Sequence, residues 1–169
     1  MTGAVVATLQ SEAMSKYGAP SSTNITFTIA ESGSIDIDVQ YQKRPTRMAE
    51  SIWMSFRPIV HDPHAWRLDK LGRLIDPFQV VVNGSKAMHA VWEGLTYNTT
   101  ALSIASLDAP IVTVDTPSPI VFLKEQQIEA DSFHFNLFNN AWNVNYPVWE
   151  VNPTERFRFA LKFGASLST

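Results

Sequence analysis

The chain reads SFHFNLFNNAWNVNYPVW over residues 132–149. Within this stretch Phe133, Phe135 and Leu137 alternate with polar residues, which is the period-two pattern of a strand with one buried face. After Leu137 the alternation stops and a run rich in asparagine and tryptophan follows. The stretch therefore predicts a half-buried strand that leads into an irregular connection.

The asparagines of this stretch admit two interpretations. All five stand close to two Trp and one Tyr, with no Lys, Arg, Asp or Glu among them. Carboxamides next to indole rings, without formal charge, suit a neutral ligand such as a sugar or a polyketide-like molecule. Alternatively the Asn side chains cap and brace a long connection, as Asn commonly does in loops. Both interpretations stay open at the level of sequence.

The next segment, RFRFALKF at residues 156–163, alternates without a fault. Its three Phe and one Leu fall on one face, and Arg156, Arg158 and Lys162 fall on the other. This pattern predicts a terminal strand whose basic face is solvated or lines a groove.

Similar patterns occur earlier in the chain. Residues 25–29 and 35–41 alternate apolar and polar side chains on either side of Ser32-Gly33, which predicts an antiparallel hairpin. The segment SIWMSF at residues 51–56 is too apolar for an exposed strand, so we expect an inner strand there.

Further strands complete an all-β pattern. A hairpin is predicted over residues 78–92, because Asn83-Gly84 suits a tight type I′ turn. Residues 61–77 are expected to form an irregular excursion with one short strand. The remaining predicted strands cover residues 3–9, 95–97, 101–107 and 110–114. About ten short strands without a long helix predict an antiparallel β-sandwich that forms one domain over residues 1–169.

Composition limits the classes of partner and chemistry. A chain of 169 residues with 45% hydrophobic residues is long enough for one domain with its own core. A net charge of -3 gives no reason to expect nucleic acid or an anionic membrane as a partner. The absence of cysteine excludes disulfides, thiolate catalysis and Cys-based zinc sites. His61 and His64 have no third ligand at motif spacing, so no metal and no cofactor are predicted.

Two further features concern location and surface. The N-terminal residues lack the basic and long apolar regions of a signal peptide, which predicts a cytoplasmic protein. Sequons at Asn24, Asn83 and Asn98 leave secretion open. Lys43 and Arg44 belong to a basic cluster that is expected to form a solvated corner.

Several long motifs occur in an order that resembles a known family. They read RPTRMAESIWMSFRP, WRLDKLGRLIDPFQVVVNGSKAMHAVWEGLTY, SLDAPIV with PSPIVF after it, and NLFNNAWNVNYPVW followed by RFRF. They are similar to the C-terminal region of fungal and bacterial proteins with a DUF5054 domain, which are related to the glycoside hydrolase family 38 α-mannosidases. The resemblance covers roughly residues 40–163. It implies an all-β sandwich like that in the rear part of those glycosidases.

The resemblance also implies what this chain lacks. The family's zinc site and catalytic carboxylates belong to an N-terminal α/β barrel, and these 169 residues contain no counterpart to it. Family members tend to carry Gly-Thr after the first Trp of the last motif, where this chain has Asn143-Val144. No mannosidase catalytic residue can be carried over, because none of the matching motifs contains one.

The first functional hypothesis is a small-molecule enzyme. It would hold an apolar or neutral substrate in a shaped pocket and catalyse an isomerisation or a cyclisation, such as an intramolecular cycloaddition in fungal secondary metabolism, without metal or nucleophile. Such chemistry needs a cavity that favours the reactive conformer and a few hydrogen-bond donors. The predicted catalytic residues are Asn139, His89, Lys70 and Arg158. The predicted substrate-binding residues are Trp53, Trp66, Asn136, Asn140, Trp142, Asn145 and Trp149.

Two other classes of function remain. A carbohydrate-binding module would stack exposed Trp and Tyr on sugar faces while Asn amides bind hydroxyl groups. A structural module would pair with a partner subunit, or with a second copy as a homodimer, through an exposed sheet edge. His89, which lies among apolar residues, has the alternative role of a hydrogen-bonded core residue.

Overall fold

The computed structural model describes residues 5–12, 20–45, 49–78, 88–98, 101–118, 131–140 and 154–164. Within these ranges the backbone forms twelve strands and a 3-10 turn at Pro63–Ala65. The strands are β1 (Val5–Glu12), β2 (Ser22–Ile29), β3 (Ile35–Gln42), β4 (Ser51–Phe56), β5 (Trp66–Lys70), β6 (Arg73–Ile75), β7 (Met88–Ala90), β8 (Gly94–Tyr97), β9 (Leu102–Ser106), β10 (Ile111–Val114), β11 (Phe133–Asn139) and β12 (Thr154–Phe163).

The described strands form two sheets. The large sheet has eight strands in the order β1-β2-β3-β12-β9-β8-β5-β6, and the small sheet has four in the order β4-β11-β10-β7. Every pair of neighbouring strands runs antiparallel. The predicted all-β architecture with antiparallel sheets is therefore confirmed.

The hairpin of β2 and β3 follows directly from the alternation in its sequence. Phe27 lies opposite Ile37, and Ile25 lies opposite Val39. Because residues directly opposite each other share a face, the apolar side chains of both strands pack against the core. Gly33 in the connecting turn has a φ of 81°, which favours glycine over residues with a side chain. The predicted hairpin is confirmed.

The strand β12 lies in the middle of the large sheet. It pairs with β3 on one side and with β9 on the other, so that Phe159 lies opposite both Ile37 and Ser106. Phe159 is buried, whereas Arg156 and Arg158 are exposed on the opposite face. The predicted terminal strand and its outward basic face are confirmed.

Aromatic side chains from both sheets form one core between them. The ring of Phe159 in the large sheet lies 5.5 Å from Phe56 and 5.3 Å from Phe135 in the small sheet, measured between ring centroids. Trp66 in the large sheet lies 4.8 Å from Phe133 by the same measure. Burial of one such side chain stabilises the fold by about 2 kcal/mol. These contacts across the gap hold the two sheets together as a β-sandwich.

Residues 61–77 contain more regular structure than predicted. The strands β5 and β6 form a hairpin, and Asp62 caps the 3-10 turn before it. The hairpin turns at Leu71 and Gly72, whose φ values are 55° and 77°, and the Asp69 carboxylate accepts a hydrogen bond of 3.1 Å from the Gly72 N–H. Leu rarely adopts a positive φ, so residue preference did not reveal this turn. The prediction of one short strand was wrong.

Two other predicted strands either differ from the structure or lie partly outside the described residues. β4 was predicted as an inner strand, but among the described strands it lies at the edge of the small sheet. Among the described strands the prediction is therefore not confirmed; Trp53 makes the segment apolar, but its side chain lies on the face away from the core. The predicted hairpin at residues 78–92 lies largely outside the described residues, since residues 79–87, with Asn83-Gly84, are among those not described. Its described part, β7, pairs with β10.

Candidate functional site

One face of the small sheet brings together polar residues that the sequence singled out. Trp53 on β4 lies opposite Asn136 on β11, and Ser51 lies opposite Asn139. Opposite residues share a face and successive residues alternate between faces, so these side chains lie on the side away from the core. We call this surface the outer patch and define it by Ser51, Trp53, Ser55, His134, Asn136 and Asn139.

A register shift in β11 places both asparagines on the outer patch. Asn136 and Asn139 are three residues apart and would point to opposite faces of a regular strand. The pairing with β4 shifts between Asn136 and Phe138, so one extra residue is accommodated and the alternation restarts. The break in alternation after Leu137 in the sequence corresponds to this shift.

Two side chains of the outer patch are oriented by hydrogen bonds. The indole N–H of the half-buried Trp53 donates to Oγ of Ser51 over 2.7 Å. The Nδ2 group of Asn136 donates to the carbonyl oxygen of Phe138 over 3.1 Å. The patch therefore presents an aromatic ring of fixed orientation beside a carboxamide whose oxygen can accept a further hydrogen bond.

A second pair of residues on the outer patch forms a short chain of hydrogen bonds. Oγ of Ser55 lies 2.7 Å from Nδ1 of His134, and Nε2 of His134 lies 3.2 Å from the carbonyl oxygen of Asp115. A carbonyl oxygen can only accept, so Nε2 must carry the hydrogen in neutral His134. Nδ1 is then the acceptor, and the Ser55 hydroxyl donates to it.

The surroundings of His134 favour its neutral form. The side chain is 5% exposed, and this burial is the main reason that the pKa of His134 is lowered. The nearby charge of Arg57 also lowers the pKa, whereas the Asp115 carbonyl and the carboxylates of Asp115 and Asp131 act in the opposite direction. No residue pattern marks this pair, because Ser55 and His134 are only polar positions of two alternating strands.

Asn140 lies beside a buried ion pair at the end of the small sheet. Its backbone N–H donates to the carbonyl oxygen of Glu50 over 2.8 Å, and the Glu50 carboxylate pairs with Lys43. Lys43 is 3% exposed and its Nζ lies 4.7 Å from the ring centroid of Phe138. The prediction that this cluster forms a solvated corner was therefore wrong for Lys43, because an ion pair and a ring compensate its burial.

His89 faces the core of the sandwich. It lies opposite Val112 on the inner side of β10, is 4% exposed, and neither ring nitrogen has a hydrogen-bond partner in the described part of the chain. Burial, together with the charge of Lys70, lowers the pKa of His89 to about 4. The charge of Lys70 thus acts on His89, and both are predicted catalytic residues. However, His89 lies in the core, and within the described residues it lacks the hydrogen bond expected of a core histidine.

Arg158 lies on the outer face of the large sheet. Its guanidinium forms two hydrogen bonds of 2.9 Å with the Asp108 carboxylate, which also accepts from the Arg158 backbone N–H over 2.8 Å. This pairing lowers the pKa of Asp108. An open cavity of about 290 Å³ adjoins Arg158 and is lined by Thr26, Thr28, Asp38 and other strand residues. Arg158 is therefore on a different sheet from the outer patch.

The remaining predicted substrate-binding residues divide into two groups. Trp66 is 0% exposed and packs against Phe133 and Tyr97 in the core. The others lie outside the described residues: Trp142, Asn145 and Trp149. The structure thus unites Trp53, Asn136 and Asn139 on one face, and it places Trp66 and His89 in the core and Arg158 on the large sheet.

Comparisons with protein-family models, with curated proteins and with solved structures found no match to this chain. In the described ranges, no group of three or more His, Asp or Glu side chains is placed to hold a metal ion. The same ranges contain no helix that is long and apolar enough to cross a membrane.

Proposed function

We propose that this chain is a carbohydrate-binding β-domain that holds a neutral saccharide against the outer patch. The observation that carries the proposal is Trp53 directly opposite Asn136, with Asn139 on the same face. An aromatic ring offers an apolar surface to the C–H face of a sugar. Carboxamides offer donors and acceptors to the hydroxyl groups.

The charge of the outer patch supports a neutral ligand. None of its six residues is Lys, Arg, Asp or Glu, and the lowered pKa of His134 favours the uncharged imidazole at neutral pH. A charged ligand would lose hydration on this surface without gaining a counter-charge from the patch. Hydroxyl-rich, uncharged molecules do not face that cost.

The sheet surface suits a ligand better than the interior does. Aromatic side chains fill the gap between the sheets, and Phe135 and Phe159 lie 5.3 Å apart between ring centroids. Interiors packed in this way leave few voids larger than a water molecule. A cyclase-type enzyme needs an enclosed pocket, for which the predicted walls include Trp142 and Trp149 outside the described residues. That hypothesis stays a prediction.

The resemblance of the sequence motifs to the C-terminal β-domain of family 38-like glycosidases is consistent with this proposal, but only at the level of the fold. A β-domain related to glycan-processing enzymes is a reasonable scaffold for a saccharide-binding surface. Fold alone does not determine function, so the proposal depends on the outer patch and would stand without the resemblance.

Retention on glycans tests the proposal. The native chain would be applied to a panel of immobilised neutral polysaccharides and oligosaccharides, followed by titration of each hit. Trp53→Ala should weaken binding at least tenfold, about 1.4 kcal/mol, because a central aromatic residue commonly dominates such contacts. Asn136→Ala should weaken it to a smaller extent.

The chain offers a matched control in Trp92. The Trp92 side chain is 72% exposed, and the Trp92 backbone N–H donates a hydrogen bond to the carbonyl oxygen of Asp69 on β5, which belongs to the large sheet and not to the sheet of the outer patch. Trp92→Ala should bind glycans as the native chain does. If Trp92→Ala lost binding and Trp53→Ala did not, the proposed site would be refuted. If the native chain were retained on no neutral glycan, the proposed function would be refuted.

A further inference from the structure

We propose that Ser55 and His134 form a catalytic dyad that hydrolyses ester-linked acyl groups on a ligand at the outer patch. The substrate class, an O-acylated saccharide, rests on the proposed function. The acyl-transfer chemistry rests independently on the geometry of the two side chains.

The arrangement has the three parts that an activated serine needs. Oγ of Ser55 is 2.7 Å from Nδ1 of His134, within range for direct proton transfer. The Asp115 carbonyl, 3.2 Å from Nε2, fixes the tautomer that leaves Nδ1 free to accept. A nucleophile, a base and a group that orients the base are thus aligned, which is the general pattern for nucleophilic catalysis by a hydroxyl group.

Exposure is divided between the two residues as the chemistry requires. Ser55 is exposed and lies on β4, which is at the edge of the small sheet among the described strands, whereas His134 is 5% exposed and shielded from bulk water. A substrate can therefore reach the hydroxyl group, while the imidazole keeps a fixed position behind it.

The dyad is next to the residues proposed to hold the saccharide. Trp53 precedes Ser55 by two residues and Asn136 follows His134 by two, on the same face. Two residues along a strand span about 7 Å. A sugar ring on Trp53 can therefore present an acyl substituent to Oγ of Ser55.

The reaction proceeds in two balanced steps. Oγ of Ser55 attacks the acyl carbonyl carbon while Nδ1 of His134 takes the hydroxyl proton. The bond from the carbonyl carbon to the sugar oxygen then breaks, the sugar oxygen receives that proton, and the acyl group remains on Ser55. Water attacks this ester, His134 transfers a proton from the water to Oγ, and a carboxylic acid leaves.

Charges around the dyad match this reaction. The groups that face His134 are Ser55, the cation Arg57, and the carboxylates of Asp115 and Asp131. Burial lowers the pKa of His134, so the base is neutral at neutral pH and becomes protonated at a lower pH than an ordinary histidine does. The positive charge of Arg57 acts on His134, and in the proposed reaction the same charge would stabilise the oxyanion that develops on the acyl group.

Two measurements on the full chain test the dyad. The first is hydrolysis of p-nitrophenyl acetate, followed over the first turnover and across pH. The second is labelling with a fluorophosphonate probe, with the modified residue located by mass spectrometry. We expect a burst of p-nitrophenol, a label on Ser55, and a rate that declines as the pH falls, with a midpoint below the ordinary pKa of histidine.

Variants give the decisive comparison. Ser55→Ala removes an exposed hydroxyl group and should lose about 100-fold or more in rate, together with the label. Ser32→Ala, which alters an exposed serine in the turn before β3, is the matched control and should retain the native rate. Circular dichroism would verify that both variants keep the native fold. A native rate no higher than that of Ser55→Ala, or a label on another residue only, would overturn the proposal.

The two proposals fail in different ways. p-Nitrophenyl acetate contains no sugar, so its turnover does not depend on glycan binding. A labelled Ser55 without retention on any glycan would remove the saccharide proposal and leave the dyad. Retention on glycans without acyl transfer at Ser55 would remove the dyad and leave the binding function.

Discussion

Replacing His89 with leucine should remove a large part of the pH dependence of stability between about pH 7 and pH 5. His89 is buried with both ring nitrogens unpartnered in the described part of the chain, so protonation would place an uncompensated charge in the core. The positive charge of Lys70 makes that protonation still less favourable.

The pKa sets the size and the sign of the effect. The pKa of His89 falls from 6.5 in the unfolded chain to about 4 in the folded protein. Each pKa unit corresponds to about 1.4 kcal/mol, so the complete effect is about 3 kcal/mol. Above the unfolded pKa neither state binds the proton. Below it only the unfolded state does, so the free energy of unfolding falls with pH by about 2 kcal/mol at pH 5 and continues to fall towards the folded pKa.

Urea denaturation at both pH values measures this difference. For each protein, the loss of unfolding free energy between pH 7 and pH 5 is measured, and the loss in His89→Leu is subtracted from the loss in the native chain. Contributions from other groups such as His134 cancel in this difference. His89→Leu should also be at least as stable as the native chain near pH 7, since it removes unpartnered polar atoms from the core. His61→Leu, at an exposed histidine, is the matched control and should keep the full pH dependence.

Two results would contradict this reasoning. His89→Leu could lose as much stability between the two pH values as the native chain does, in which case another group titrates. Alternatively, Lys70→Gln could leave the pH dependence unchanged, in which case the lysine charge does not act on His89.

Three further substitutions test the core and the ion pair by the same urea measurement. Gly94→Ala should cost about 3 kcal/mol or more, because Gly94 has a φ of 152° and an added Cβ would collide with the carbonyl oxygen of Ile104; a stable variant would disprove the close approach. Lys43→Met should cost about 3 kcal/mol by leaving the partly buried Glu50 carboxylate without its partner, and adding Glu50→Gln should recover part of the loss. Phe135→Ala should cost about 4 kcal/mol, since its ring is fully buried between the sheets; a loss below about 1 kcal/mol would contradict that packing.

Regular alternation made part of the fold predictable. The hairpin of β2 and β3 and the strand β12 each bury one face, so the period of two in the sequence reports directly which side chains face the core. The order of the strands in the sheets could not be predicted from this alternation, because β12 pairs with β3 and β9, which are distant from it in sequence. The turn at Leu71 was missed because its backbone conformation is unusual for leucine.

The candidate site was only partly predictable, for a related reason. Trp53, Asn136 and Asn139 were chosen for their chemistry, but their common face depends on a register shift that no residue pattern marks clearly. The Ser55–His134 pair depends on the register between two strands that are 79 positions apart in sequence. The burial of Lys43 likewise depends on the ring of Phe138, which belongs to a distant strand.

The central position of β12 has a consequence for biosynthesis. Of the described strands β12 is translated last, yet it lies between β3 and β9 and pairs with both of them. The chain emerges from the ribosome with its N-terminal end first. The edges of β3 and β9 that pair with β12 in the finished sheet therefore stay unpaired until residues 154–163 emerge. Unpaired strand edges can pair with strands of other chains. Contacts between residues far apart in sequence also form slowly. Chaperone demand during synthesis should therefore peak just before β12 appears.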